Sequence, residues 1–300
     1  MFADLQEWHQ LKRVTGCMVQ GTILGAVVIV FSSCGESYSK NQNAGDTSII
    51  KSGDTTAVPE TVQQTPVLDT ALFDQLNLHA ANGDTTGKWP VKAPYPLPGA
   101  ILPFKRIVSY YGNYYSKKMG ILGEIPEAEM LAKLQEEVKR WQAADTAIEA
   151  IPALHYIAVT AQGSPGKDGK YRLRMPFSQI DSTLKKAEKI NAISFVDIQV
   201  GLSTLQQEVP LLEKYLILPN MHLGIDPEFS MKGGQRPGSV IGTFSADDIN
   251  YVTGYLAELV RKHNLPPKIL VVHRFTQNMV TNYKQIITRP EVQIVIDMDG

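Results

Sequence analysis

The sequence predicts an α/β fold, a TIM-barrel-like (β/α) repeat. Two observations on the residues carry this class. Apolar runs of strand length alternate with amphipathic helical stretches from residue 106 onward. Such alternation implies parallel pairing, because each helix returns the chain across the sheet. The strand runs are also apolar on both faces, as buried parallel strands are. About six units can be counted, the last without its helix. A doubly wound open sheet would accommodate six units, whereas a closed barrel needs eight. The barrel is preferred on a resemblance set out below, which implies an incomplete barrel whose last units would follow Gly300.

Each unit is justified by its own pattern. Arg106 to Tyr111 reads as a buried strand. Pro126 and Glu127 open a helix with Leu131, Leu134, Val138 and Trp141 on one face. Glu129/Lys133 and Glu136/Arg140 place opposite charges four residues apart on its wet side. A second strand spans about 153–160. The basic stretch from Lys167 to Arg174 reads as a solvated hairpin. Ser178 with Asp181 has capping-box spacing for a helix carrying Leu184, Ala187 and Ile190. A third strand covers about 193–200, and the helix from Leu205 to Leu216 is kinked or restarted by Pro210. A short strand from His222 to Asp226 leads into a long loop. Ser245 and Asp248 form a second capping-box signal, before a helix with Ile249, Val252, Leu256 and Leu259 that ends ahead of Pro266-Pro267. Strands at 268–273 and 292–297 flank a helix expected around Met279, Val280, Tyr283 and Ile286.

The N-terminal third is organised differently. Lys12 and Arg13 precede an uncharged stretch whose most apolar part is Ile23 to Phe31, and Ser32-Ser33-Cys34 follows. A basic region, an apolar region and small residues make an export signal over 1–34. The cysteine after the small pair resembles a bacterial lipoprotein signal, which implies lipidation of Cys34 and a membrane partner through that lipid. An uncleaved anchor is the alternative, since the uncharged stretch is long enough to span a bilayer. Either way the rest of the chain is expected outside the cytoplasm, in the cell envelope. Residues 35–67 are polar and poor in aromatics, and read as a disordered tether. Residues 68–105 hold a short helix near Leu68–Leu78 and a proline-rich lead-in segment. The barrel-like domain occupies 106–300.

Composition removes several functional classes. Lys+Arg total 29 against 30 for Asp+Glu, a net charge of −1, so no nucleic-acid partner is expected from charge. The two cysteines, Cys17 and Cys34, both lie near the start, so the body has no disulfide framework and no thiolate site. No cofactor is expected.

The chemical signal is positional. Parallel α/β folds place their sites at the C-terminal ends of the strands. Those ends here carry Tyr110-Tyr111, Thr160 and Gln162, Asp197 and Gln199, Asp226-Pro227-Glu228, His273-Arg274, and Asp297-Met298-Asp299. A carboxylate within an apolar run such as Ile193 to Val200 is costly to bury unpaired. Three explanations stand side by side. Paired carboxylates could act as acid and base or nucleophile in glycoside hydrolysis, with Tyr110, Tyr111, Tyr114 and Tyr115 stacking on sugar rings. The acids with His273 could hold a water-activating divalent metal, although no His-x-x-x-His or His-x-His spacing supports a metal site. The rim could be a structural ion network in which Lys232 and Arg274 neutralise the acids. Asp197, Asp226, Glu228 and Asp299 are the catalytic candidates, with Glu228 as general acid and Asp226 or Asp299 as base or nucleophile. Tyr110, Tyr111, Gln199, Lys232, His273 and Arg274 are the substrate-binding candidates. Gly233 to Gly238 reads as a lid over the rim, and His155 as a packed core residue.

The motifs Asp197-Ile198-Gln199, Asp226-Pro227-Glu228-Phe229, Pro237-Gly238 with Ile241-Gly242, Val272-His273-Arg274-Phe275 and Met298-Asp299-Gly300 resemble a family of uncharacterised bacterial secreted proteins and lipoproteins. Members look like barrel proteins related to glycoside hydrolases. The resemblance therefore implies a barrel that continues past the Met-Asp-Gly motif, and it points to Asp197, Gln199, Asp226, Glu228, His273 and Asp299. It brings no reaction of its own. The resulting expectation is a lipid-anchored, carbohydrate-active hydrolase. The alternatives are a non-catalytic glycan-binding or envelope protein and a metal-dependent hydrolase.

Overall fold

The computed structural model describes residues 67–89 and 91–298. The export signal with Cys34, nearly all of the polar tether, and Asp299 lie outside the described residues. Among the described residues, no helix is long and apolar enough to cross a membrane.

Among the described residues, nine strands form: β1 (Lys105–Gly112), β2 (Glu149–Ala161), β3 (Arg172–Arg174), β4 (Ile193–Ile198), β5 (Met221–Ile225), β6 (Phe244–Ser245), β7 (Lys268–His273), β8 (Val280–Thr281) and β9 (Val292–Asp297). The main sheet runs β1-β2-β4-β5-β7-β9, all parallel, with β3 folded back antiparallel on the end of β2. Strands β6 and β8 pair separately. Each new strand of the main sheet is added to the same edge, and the order never reverses. A doubly wound sheet requires such a reversal, so that topology is excluded for the described strands.

The sheet is curled. Flat, β1 and β7 would stand about 19 Å apart at the usual strand spacing. The Tyr111 ring on β1 and the His273 ring on β7 are instead 5.3 Å apart, centre to centre. At the opposite end, Gln293 of β9 accepts from the backbone N–H groups of Ile101 and Leu102, both at 3.0 Å. Those residues lie only three or four positions before β1. The two edge strands are thus bent toward each other, and the proline-rich lead-in crosses the gap between them. The result is a mixed α/β half-barrel with a concave inner face.

The helices cover the outer face. Helix α1 (Thr70–Ala80) is capped by Asp69, whose carboxylate accepts from Leu72 N at 2.9 Å. Helix α2 (Glu127–Ala144) buries Met130, Leu131 and Leu134, and pairs Glu129 with Lys133 on its wet side. Helix α3 (Phe177–Glu188) starts after Pro176 without a side-chain cap. The predicted box fails there because Asp181 accepts from Tyr215 Oη at 2.7 Å instead. The 205–216 segment breaks at Pro210 into an α-turn, a 3-10 turn over Val209–Leu212 and a second α-turn. Helix α4 (Ala246–His263) has the full Ser245/Asp248 capping box and ends on Asn264 in the left-handed region. The helix expected near 279–286 does not form. Two 3-10 turns flank β8 instead, and Asn282 between them has φ +55°. A left-handed residue cannot continue an α-helix.

Lys268 at the start of β7 is fully buried, and its ammonium donates to the carbonyls of Leu218 and Met221. Burial brings its pKa down to about 7. His222, whose pKa lies well below the usual imidazole value through burial and then the Lys268 charge, stays neutral beside it. A lysine titrates near 10.4 when unfolded, so between pH ~7 and ~10 the unfolded chain binds more protons than the folded one. Stability therefore rises with pH across that window, by on the order of 4 kcal/mol from this group. Lys268→Met is expected to remove that rise. Its advantage over wild type should be largest below pH 7 and should vanish toward pH 10 in denaturant unfolding.

Candidate functional site

Strand alternation sends every second residue to the concave face. Register aligns those residues across the sheet: Tyr111 opposite His155, His155 opposite Phe195, Asp197 opposite Gly224, and His273 opposite Asp297. Because the sheet curls, side chains from strands that are not neighbours meet in the interior. Asp197 is fully buried at their centre. Its Oδ1 lies 3.5 Å from His155 Nε2 and 3.4 Å from His273 Nε2. Its Oδ2 accepts from Tyr111 Oη at 2.8 Å. Behind His273, Nδ1 is 3.6 Å from Asp297 Oδ2, and the Asp297 side chain is 43% exposed. By register Asp197 stands level with Val295, two residues before Asp297 along β9.

Gly224 makes the convergence possible. A Cβ there would fall 2.2 Å from Asp197 Oδ1 and 2.3 Å from His155 Nε2. The rings are held from the side as well. His155 stacks on Phe195 at 4.9 Å and meets Tyr111 edge-on at 5.1 Å.

Charge follows from this packing. Burial alone would raise the Asp197 pKa, but His273 and His155 outweigh it and hold the carboxyl well below its usual range. His155 is pushed down by burial, with Asp197 opposing the shift. Asp197 is therefore an ionised acceptor and not a proton donor at neutral pH.

A second polar chain crosses the strand ends. Gln199 Oε1 accepts from Ala161 N at 3.0 Å, and Gln199 Nε2 donates to Asp226 Oδ2 at 3.2 Å. Asp226 Oδ1 accepts from Glu228 N at 2.9 Å. Asp226 thus shapes the turn Pro227–Phe229, which carries the buried Glu228 and packs on β7.

The sequence candidates divide accordingly. Tyr111, Asp197 and His273 meet in one centre, and Gln199, Asp226 and Glu228 form the adjoining rim. Tyr110 does not join them. Alternation turns it to the outer face, beside Glu137, Lys133 and Arg140 of α2. Lys232 pairs with Asp248 at the N-terminus of α4. Arg274 donates to the carbonyls of Thr276 and Gln277 and lies 5.8 Å from the Tyr283 ring centre. Tyr114 stacks on Tyr156 at 5.1 Å, so the four tyrosines do not form one sugar platform. His155 is the residue that sequence reasoning missed. It is buried, as a core residue would be, but its Nε2 faces Asp197. Only the strand register reveals that.

No protein-family model matches this chain, and no curated protein matches it either.

Proposed function

We propose that this protein is an exported hydrolase, with envelope glycans as its substrate class and the half-barrel mouth as its reaction centre. The observation that carries the reading is the buried, ionised Asp197 held between His155 and His273 beneath an acidic rim. Buried charge of this kind is expensive to maintain and concentrates at reactive sites. In this reading Asp197 stabilises positive charge, and Glu228 on the turn after β5 donates the proton to the leaving group. The glycan class and the lipid anchor at Cys34 are supported by the secreted-protein motifs and by the signal pattern at 12–34. Strand addition in chain order together with the curl supports reading the sheet as six units of an eight-unit TIM-type barrel.

The test is a screen of cell-wall and plant glycans with the full chain, Asp197→Asn and Glu228→Gln. Wild type should cleave at least one glycan, and each variant should fall by about 100-fold or more. Equal cleavage by all three proteins, or glycan binding without cleavage that survives both substitutions, would overturn the hydrolase. Fractionation of the producing cells reads the address, since a lipid-anchored protein pellets with membranes.

A further inference from the structure

The contacts at the centre of the site have an unusual length. A hydrogen bond from a ring N–H to a carboxylate is about 2.8 Å long. Oδ1 of Asp197 stands 3.5 and 3.4 Å from the two Nε2 atoms. Among the described residues, neither His155 Nε2 nor Asp197 Oδ1 has a hydrogen-bond partner, although both are buried. All three atoms lie within 4.8 Å of one another. A tetrahedral ion with bonds of 2.0–2.2 Å would space its ligand atoms about 3.4 Å apart. The two Nε2–Oδ1 separations are longer than a charge-assisted hydrogen bond and match the spacing of atoms arranged around a shared cation.

The surroundings agree with that reading. Tyr111 holds Oδ2 of Asp197 at 2.8 Å, which leaves Oδ1 for the ion. Asp297 stands behind His273 on the Nδ1 side at 3.6 Å, an ion-pair distance on the side away from Asp197. Gly224 gives up its side chain at the point where two of the ligand atoms approach. Two imidazole nitrogens and one carboxylate oxygen form a donor set for zinc-like transition ions. Calcium and magnesium prefer oxygen ligands.

We propose that His155, Asp197 and His273, one residue each from β2, β4 and β7, bind a single divalent transition-metal ion of the zinc type. The proposal stands on this geometry and does not require that the protein be a hydrolase. Binding can be read whether or not a substrate is found.

The test strips the full chain with a chelator and titrates it with Zn2+ by calorimetry, then with Co2+ by visible absorption. Wild type should take up Zn2+ at this site with one-to-one stoichiometry, show the intense Co2+ bands of low coordination, and melt higher with metal. His155→Gln and His273→Gln should each weaken Zn2+ binding by at least about 100-fold. Tyr111→Phe leaves all three ligands in place and should weaken it by about 10-fold, which keeps the test informative if a ligand variant does not fold. Absence of Zn2+ uptake by wild type would overturn the proposal. So would undiminished binding in all three variants, which would place the ion elsewhere in the chain.

Discussion

Gly224→Ala is expected to destabilise the protein by about 3 kcal/mol, the upper range for an added methyl in a packed core. The new Cβ would stand 2.2 Å from Asp197 Oδ1 and 2.3 Å from His155 Nε2. Neither side chain can withdraw. Tyr111 fixes the far oxygen of Asp197, and Phe195 and Tyr111 pack against the His155 ring. Gly254 in α4 is the control, because a Cβ there would meet only Arg289 Nη2, at 3.8 Å. Gly254→Ala should stabilise by up to about 1 kcal/mol through helix propensity. The same chemical change should therefore have opposite signs at two glycines. Denaturant midpoints of both variants check this, and similar shifts in the same direction would refute the crowding at Gly224.

Glu208→Ala should cost about 3 to 5 kcal/mol, the range for removing one partner of a buried ion pair. Glu208 has no exposed side-chain surface. It accepts from Arg172 Nε at 2.8 Å, from Arg174 Nε at 2.7 Å and Nη2 at 3.1 Å, and from Ser203 Oγ. Its pKa is lowered: burial opposes the shift, but the two arginines and Ser203 prevail. Removing the carboxylate leaves Arg172 nearly buried, with only the half-exposed Asp168 to face it. The hairpin ending in β3 would then lose its tie to the 205–216 segment. Glu208→Gln keeps the shape and one acceptor, so it should cost less. Hydrogen exchange should quicken in the 162–174 hairpin in both variants. Unchanged exchange there, with stability within 1 kcal/mol of wild type for the alanine variant, would show that the cluster does not hold the hairpin.

Local pattern sufficed where local forces decide. The parallel strands and helices α2 and α4 were legible because apolar spacing and the Ser245/Asp248 cap agree with the final packing. One cap reading and one helix reading went astray, for tertiary and conformational reasons. Asp181 is taken by Tyr215 from another element, and the left-handed Asn282 interrupts an otherwise helical spacing. The site was half legible. Asp197 announced itself as an acid within an apolar run, and Gln199 and Asp226 lie where the strand ends require. His155 could not be read, because its role depends on how far the sheet curls and which residues of β2 and β4 stand level. Tyr110 and Tyr111 are adjacent in the chain, yet alternation sends them to opposite faces.

The amide of Gln293 joins positions 191 and 192 residues away along the chain. Every intervening strand must be docked before that seam can zip shut, since the loop it closes is the longest in the sheet. Assembly therefore has a direction: neighbouring strands associate early through short loops, and the join between lead-in and last strand is made at the end.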